Sequence, residues 1–403
     1  MNAPTLITNA HIVSAEETIE HGWLLINAGK ISALGHRQAP PIDGAVEIDA
    51  GGHTVLPGFI DLHVHGGAGG DTMDAHIESL RTMARFYAEH GCTSFLATTW
   101  SAPHTQILSA LETIKTAMDG PVEGAALLGA HVEGPYLNPT YCGAQKLEAI
   151  RPIDRDEVRA LLATGIVRLL AFAPELDDAE WLIRTCRERG VRVSAAHTGA
   201  TYEQMCKAVE FGVQQMTHTF NGMSGLHHRA PGAAGAALTL DALSCELIAD
   251  RQHVHPAVID LVFRAKGIKG VILITDAMAA AGMPPGEYPL DERTVTVHDE
   301  RVLLPDGTLA GSVLTMERAL ANAAAATGFP IDVLWRSASL NAAHALHLEQ
   351  RKGSIAVGKD ADLVLIDKAF VVQLTLVAGH IVYHKPNGAL TTRRSTERDS
   401  SIL

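Results

Sequence analysis

No apolar run in this 403-residue sequence approaches the roughly 18 residues that a membrane-crossing helix needs. The opening Met1-Asn2-Ala3-Pro4-Thr5-Leu6 lacks the charged-then-apolar layout of a signal peptide. Basic residues are in deficit. Thirty-two Lys and Arg stand against 45 Asp and Glu, a formal charge of −13 with no basic cluster, which argues against general nucleic-acid binding. Cysteine is scarce: Cys92, Cys142, Cys186, Cys206 and Cys245 are scattered, odd in number and free of CxxC spacing. They read as reduced thiols of a cytoplasmic protein. Aromatic residues make up only 5%, yet 47% of the chain is hydrophobic and 19% charged. That balance is too apolar for disorder, and the length allows one large domain or two medium ones.

What is present is alternation. Near the start, residues 6–13, 22–26 and 30–34 read as short strands between turn residues such as Asn27-Ala28-Gly29, and strand character returns at 362–366 and 380–383. Both ends being β predicts a small β-sandwich domain built from residues 1–55 and 350–390, with a polar, loose tail at 391–403. Between them, eight short apolar or β-branched runs (55–64, 93–98, 126–132, 167–173, 191–196, 215–219, 243–249 and 271–275) alternate with helical patterns, clearest at 77–90, 107–118, 156–163, 179–189 and 202–210. Eight such repeats within 56–349 predict an α/β fold, a (β/α)8 TIM-type barrel. The competing doubly wound sheet lacks a GxGxxG after its first strand.

The ends of these strands collect ionisable residues. The first ends in Asp61-Leu62-His63-Val64-His65, where the two-residue spacing puts both imidazoles on one side. The third ends in His131-Val132-Glu133-Gly134-Pro135, the fifth in His197-Thr198-Gly199, the sixth in His218-Thr219-Phe220-Asn221 and the eighth in Thr275-Asp276-Ala277. A barrel gathers these ends at its C-terminal face, where its active sites lie. Burying two carboxylates together is costly without a cation. Nitrogen and oxygen donors without thiolate suit zinc, or iron and its divalent neighbours. Asp61 reads as a residue that orients a ligand rather than binds metal. The run Gly66-Gly67-Ala68-Gly69-Gly70 lacks the Lys-Ser/Thr of a P-loop and reads as a turn giving close backbone access to the site.

These motifs resemble the amidohydrolase superfamily and, within it, the N-acetylglucosamine-6-phosphate deacetylases. Pro57-Gly58-Phe59-Ile60-Asp61-Leu62-His63-Val64-His65-Gly66 is shared across the superfamily, whereas Glu133-Gly134-Pro135 and His218-Thr219-Phe220-Asn221-Gly222-Met223 are more specific. Ala196-His197-Thr198, Ile274-Thr275-Asp276-Ala277, Leu309-Ala310-Gly311-Ser312 and the Gly-Lys-Asp-Ala-Asp run at 358–362 extend the resemblance nearly end to end. It implies Glu133, His197 and His218 as ligands of a main divalent ion. His63 and His65 would hold a second, bridged by Glu133, since strand four ends in Ala173-Pro174-Glu175 without the bridging lysine of many relatives. Zn2+, one or two per chain, is expected, with Fe2+ the alternative.

The resemblance further implies Asp276 as the general base and acid, and Ala144, Gln145, Asn221, Gly222, Arg229, Asp250, His253, Leu309, Ala310 and Gly311 as substrate contacts. The substrate would be a small sugar phosphate, and the Arg229 contact, which can cross between subunits in this family, implies a homodimer. Nucleic-acid and membrane partners are not expected. Gln145 stands where some relatives carry histidine, Arg251-Gln252 replaces a glycine-containing pair and is expected to crowd the sugar, and His227-His228 makes the turn more basic. The competing functions are deacetylation of N-acetylgalactosamine 6-phosphate, hydrolysis of a cyclic or other N-acyl amide, and a barrel that has lost its chemistry. Amide hydrolysis requires a hydroxide, a polarised carbonyl and a proton for the leaving amine. Zinc lowers the pKa of its water to about 7 from about 15.7.

Overall fold

Eight parallel strands lie side by side in chain order: Phe59–Val64, Cys92–Thr99, Ala126–Glu133, Val167–Phe172, Arg192–Ala195, Gln215–Met216, Ser244–Ile248 and Val271–Ile274. They belong to a computed structural model that describes residues 3–394 except 387 and 389. Parallel neighbours require crossovers, and helices supply them: Ile77–Glu89, His104–Met118, Arg155–Ala163, Ala179–Glu188, Tyr202–Phe211, Gly232–Thr239, Pro256–Lys266 and Met316–Thr327. Strands covered outside by helices and inside by one another are buried on both faces: Val271–Ile274 is wholly apolar, and Cys92–Thr99 is buried at every position although it carries Thr and Ser. The first and last strands meet where His65 N–H donates to the Ala277 carbonyl (2.8 Å) and Asp276 N–H to the His63 carbonyl (2.9 Å). The result is the (β/α)8 barrel.

The helices follow local rules. Ile77–Glu89 buries Leu80, Met83, Phe86 and Tyr87, one stripe at helical spacing. Asp154 caps Arg155–Ala163 by accepting from the N–H groups of Asp156 (2.8 Å) and Glu157 (3.0 Å). Thr201 and Gln204 form a reciprocal capping box at the start of Tyr202–Phe211.

The termini build a second, mostly antiparallel sheet of nine strands. Thr5–Val13 is its centre. Along its first half it pairs with Val46–Asp49, and at His11 and Ile12 with Thr54 and Val55. From there Leu363–Ile366, Val372–Val377 and His380–His384 continue outward. Ile7, Ile12, Leu24, Ile26, Val55, Leu363, Leu365 and Leu374 close its core.

Three features depart from the sequence expectations. The run 55–64 is two strands: Thr54–Pro57 joins the terminal sheet and only Phe59–Val64 enters the barrel. The break is at Gly58, where an added Cβ would stand 2.0 Å from Thr93 Cγ2. Within the segment expected as a loose tail, Thr391–Arg394 runs antiparallel to Val46–Asp49; residues 395–403 lie outside those described. Finally, an unanticipated antiparallel sheet follows barrel strand eight: Gly286–Leu290, Arg293–His298 and Arg301–Leu303. It buries Leu290, Val295, Val297 and Val302 against Met278 and Ala280. The alternation Thr294-Val295-Thr296-Val297 is its signal in the sequence.

Candidate metal centre

Six side chains from five strand ends converge around Glu133. His218 Nε2 lies 3.0 Å and His197 Nε2 3.3 Å from Glu133 Oε1. On the other side, His65 Nε2 lies 3.4 Å from Glu133 Oε2 and His63 Nε2 3.6 Å from Oε1. Asp276 Oδ1 is 3.4 Å from His63 Nε2 and 3.2 Å from His65 Nε2. Two trios of donor atoms result, His63–His65–Glu133 and Glu133–His197–His218, each within 4.8 Å and sharing the glutamate.

The backbone is bent to achieve this. His197 (φ 43°), His218 (φ 27°) and Asp276 (φ 51°) all adopt the left-handed region just beyond their strands. Such conformations cost on the order of 1–3 kcal/mol each and concentrate at functional sites. Gly222, at φ 57°, could not carry a Cβ, which would stand 2.7 Å from His197 Nδ1.

The donor set fits divalent ions. Within each trio two imidazole Nε2 atoms face one another at 3.2 Å, His63 to His65 and His197 to His218. A cation shared between two facing imidazole nitrogens would satisfy both, and N/O donors in groups of three suit a divalent ion. His197 Nδ1–H donates to the Tyr141 carbonyl at 2.8 Å, which leaves its Nε2 free to ligate. Without an ion the charges lean on one another. Burial opposes protonation of His65, but Asp276 and Glu133 raise its pKa to about 9, and they raise His63 as well. Burial would raise Asp276, yet His63 and His65 hold it at about 2, and His63, His197 and His218 likewise hold Glu133 well below the carboxylate range. These are the carboxylates and imidazoles of a site built for added positive charge.

A cavity opens onto this cluster, lined by Ala144, Gln145, Asn221, Gly222, His253, Leu309, Ala310 and Gly311 among the substrate-contact residues expected from sequence. Gln145 is tied on both sides: its Oε1 accepts from Ser101 N–H (2.8 Å) and its Nε2 donates to Glu133 Oε2 (2.6 Å). Asp250 is reached only indirectly. Its Oδ2 accepts from His253 Nδ1 at 2.6 Å, so it holds His253, which lines the cavity. Burial opposes protonation of His253, and Asp250 outweighs it, raising the pKa.

Arg229 is not brought to the cavity. It is exposed, and its guanidinium lies 2.7 Å from His228 Nε2. Arg251 and Gln252 do not crowd the cavity either; Gln252 Oε1 accepts from Arg301 at 2.7 Å. The glycine run also departs from expectation. Gly66–Gly67 pairs with Gly70–Asp71 in a tight hairpin, with Gly66 pressed against Ala279, and none of the run lines the cavity.

Several residues escaped the sequence reading. Trp100, just past strand two, lines the cavity with its ring 5.8 Å from that of His65. Lys146 and Arg293 are its cations; Lys146 pairs with Glu292 (2.5 Å), while Arg293 pairs with Asp291 (2.7 Å) and donates to the Ala144 carbonyl (2.9 Å). Behind the ligands, Asp61 accepts from Thr275 Oγ1 at 2.6 Å, binding strand one to strand eight as an orienting residue would. Glu175 accepts from Gly199 N–H at 2.6 Å and steadies the bend after His197. Trp100 was detectable as an aromatic at a strand end; Arg293 sits on the unanticipated hairpin.

Comparison with known proteins places these residues in context. Residues 54–382 match the amidohydrolase family. The chain is 41% identical over 384 residues to N-acetylglucosamine-6-phosphate deacetylase of Bacillus subtilis (strain 168), covering 94% of this chain and 97% of that protein. It is 38% identical to N-acetylgalactosamine-6-phosphate deacetylase of Escherichia coli O157:H7, covering 92% and 99%. A mutant N-acetyl-D-glucosamine-6-phosphate deacetylase from Mycobacterium smegmatis, solved with N-acetyl-D-glucosamine-6-phosphate, superposes with a TM-score of 0.89 at 32% identity, covering 94% of this chain and all of that one.

Proposed function

The chain belongs to the amidohydrolase family, and on that premise we propose that it hydrolyses the acetamide of N-acetylglucosamine 6-phosphate to glucosamine 6-phosphate and acetate. The observation that carries this reading is the convergence of His63, His65, Glu133, His197, His218 and Asp276 on one point beneath the cavity. Glu133, His197 and His218 would hold one ion and His63 and His65 a second, with Glu133 shared; Zn2+ suits the set, and Fe2+ is the alternative. When bound, such an ion supplies Lewis acidity and hydroxide at neutral pH.

The chain's own groups do the rest. The Asp276 carboxylate takes the proton of the attacking water and delivers it to the departing nitrogen, which leaves only as a protonated amine. His253, held through Nδ1 by Asp250, lines the cavity and, as the imidazolium that Asp250 favours, can donate from Nε2 to the carbonyl oxygen. Asn221, Gly222, Ala144, Gln145 and the Leu309–Gly311 stretch line the cavity and would contact the sugar. Trp100 offers the sugar an apolar face.

The phosphate needs a cation. Arg229, exposed and outside its own cavity, would serve a neighbouring subunit's site, making the working form a homodimer. All five cysteines are free, which supports a reducing compartment such as the cytoplasm. Among the described residues no helix is long and apolar enough to cross a membrane. The test is release of free amine from a panel of phosphorylated and unphosphorylated N-acetyl hexosamines, the galactosamine epimer included. Turnover of N-acetylglucosamine 6-phosphate above all others is expected; indifference to the phosphate would overturn the reading.

A further inference from the structure

A row of polar side chains crosses barrel strands five, six and seven beneath the candidate ligands. Arg192 Nε donates to Gln215 Oε1 at 2.5 Å and its Nη2 to Ser244 Oγ at 3.2 Å. Gln215 Nε2 donates to Glu246 Oε1. The other oxygen, Glu246 Oε2, lies 3.3 Å from His63 Nδ1 and accepts from the His218 backbone N–H at 3.3 Å. Gln215 and Glu246 are wholly buried, at barrel positions where apolar side chains are the rule. A buried carboxylate is costly unless its lone pairs are used, and here each oxygen has donors.

The polarity of this row is fixed from its far end. Arg192 has only donors, so Gln215 must turn its carbonyl oxygen toward it and its amide nitrogen toward Glu246. Glu246 then meets His63 with an acceptor, and an acceptor at Nδ1 requires the imidazole proton there. That leaves the lone pair on Nε2, the nitrogen 3.2 Å from His65 Nε2 and 3.6 Å from Glu133. Of the four candidate imidazole ligands, His197 uses the Tyr141 carbonyl for the same purpose, while His65 Nδ1 and His218 Nδ1 meet no partner. His63 alone is backed by a carboxylate.

We propose that Glu246 is a positioning residue that locks His63 in its Nδ1–H tautomer and so prepares the His63–His65–Glu133 trio for its ion. The proposal rests on the two-ion reading of the site given above. It distinguishes Glu246 from a merely structural buried acid through the direction of one hydrogen bond. In a Glu246→Gln variant an amide that turns its oxygen to the Gln215 donor presents its nitrogen to His63 Nδ1 and leaves the His218 N–H without its acceptor. The proton of His63 is then driven to Nε2, where an ion would bind. In the double variant Glu246→Gln/Gln215→Glu the carboxylate stands beside Arg192, and the amide at position 246 again turns its oxygen to His63.

The test counts and titrates Zn2+ on the full chain against a competing chelator, with folding checked by circular dichroism. The wild-type chain should bind two ions. Glu246→Gln should weaken one of them about 10–100-fold, the range for loss of a residue behind a metal ligand, and weaken the other, whose ligand His218 loses only a backbone contact, clearly less. The double variant should recover most of the loss. A folded Glu246→Gln chain with both affinities intact, equal weakening of both ions, or a double variant no better than the single would overturn the proposal. A wild-type chain holding one ion, not bound by His63, would overturn it while sparing the deacetylase reading; a chain holding none would end the metal-centre reading itself. Should the single variant not fold, nitrogen-15 NMR of the zinc-loaded wild-type chain decides: a slowly exchanging, downfield imidazole proton at His63 Nδ1 is expected, and its absence overturns the proposal.

Discussion

Replacing Asp276 by Asn exchanges one carboxylate oxygen for an amide nitrogen at nearly constant volume. The backbone has little reason to move: Asp276 N–H donates to the His63 carbonyl at 2.9 Å, its carbonyl accepts from Ser312 N–H at 2.7 Å, and neither bond involves the side chain. Asparagine also tolerates the left-handed conformation at φ 51° better than most residues. What changes is the charge between His63 and His65, which lie 3.4 and 3.2 Å from Oδ1, and the capacity to carry a proton. A general acid–base group contributes about 10²–10⁴-fold, equivalent to roughly 2.7–5.4 kcal/mol in the barrier. We therefore expect kcat on N-acetylglucosamine 6-phosphate to fall within that range while circular dichroism and zinc content stay at wild-type values. Free-amine release measures the first and elemental analysis the last. Turnover within about threefold of wild type, against the hundredfold minimum expected of such a group, would refute the shuttle. Loss of zinc in parallel with activity would instead make Asp276 a ligand before it is a base.

Exhaustive chelation should abolish turnover and zinc should restore it; among variants, Glu133→Gln should lose more activity than His63→Ala, because both trios share Glu133, and the reverse order in paired assays would count against a bridging glutamate. Arg229→Ala should lower kcat/KM about 10- to 100-fold on the phosphorylated sugar, since a hydrogen bond to a charged group is worth roughly 1.5–3 kcal/mol, and barely change the unphosphorylated one; if Arg293→Ala shows that split and Arg229→Ala does not, the phosphate is read within a single chain. Asp71 gives a pH signature. Burial raises its pKa from 3.8 to about 7 in the folded chain, so the folded state keeps its proton where the unfolded state has lost it, and stability falls as pH climbs between those values. The span of about 3 units corresponds to at most about 4 kcal/mol. Asp71→Asn, which preserves the capping acceptor for Met73 N–H (2.8 Å), should melt higher than wild type at pH 8 and show little difference at pH 4; equal shifts at both would refute the assignment.

The barrel was legible because its signal is local. Runs such as Thr93 to Thr98 are β-branched or apolar in the main and are followed by an amphipathic helix, and nothing distant is needed to read them. The candidate ligands were legible for a related reason: each stands immediately after such a run, and barrel topology brings all strand ends together. What escaped was the relation between distant residues of unremarkable sequence. Glu246 looks like a polar interruption in Ser244–Ile248 until His63, 183 positions away, is placed beside it. The hairpin from Gly286 to Leu303 has only six residues in its longest strand, too short a pattern to stand out after eight stronger repeats. Arg229 is a case of a different kind. Its residue type and motif suggested a phosphate contact, but a single folded chain leaves it outside the cavity.

The seam between the first and last barrel strands has a meaning for the order in which the molecule assembles. Every other strand pair of the barrel joins neighbours in the chain, closing loops of a few tens of residues. The bonds from His65 N–H to Ala277 and from Asp276 N–H to His63 close one of more than two hundred. Loop-closure entropy rises with the logarithm of length, so this contact is the most expensive of the set and waits until the intervening strands have brought its ends near. Those same residues are candidate ligands and the candidate proton carrier. The reactive cluster is therefore completed by the step that finishes the barrel, and a chain stalled short of that step presents His63 and His65 without Asp276. Capture of an ion by residues on both sides of the seam would pull the equilibrium toward the closed state by mass action.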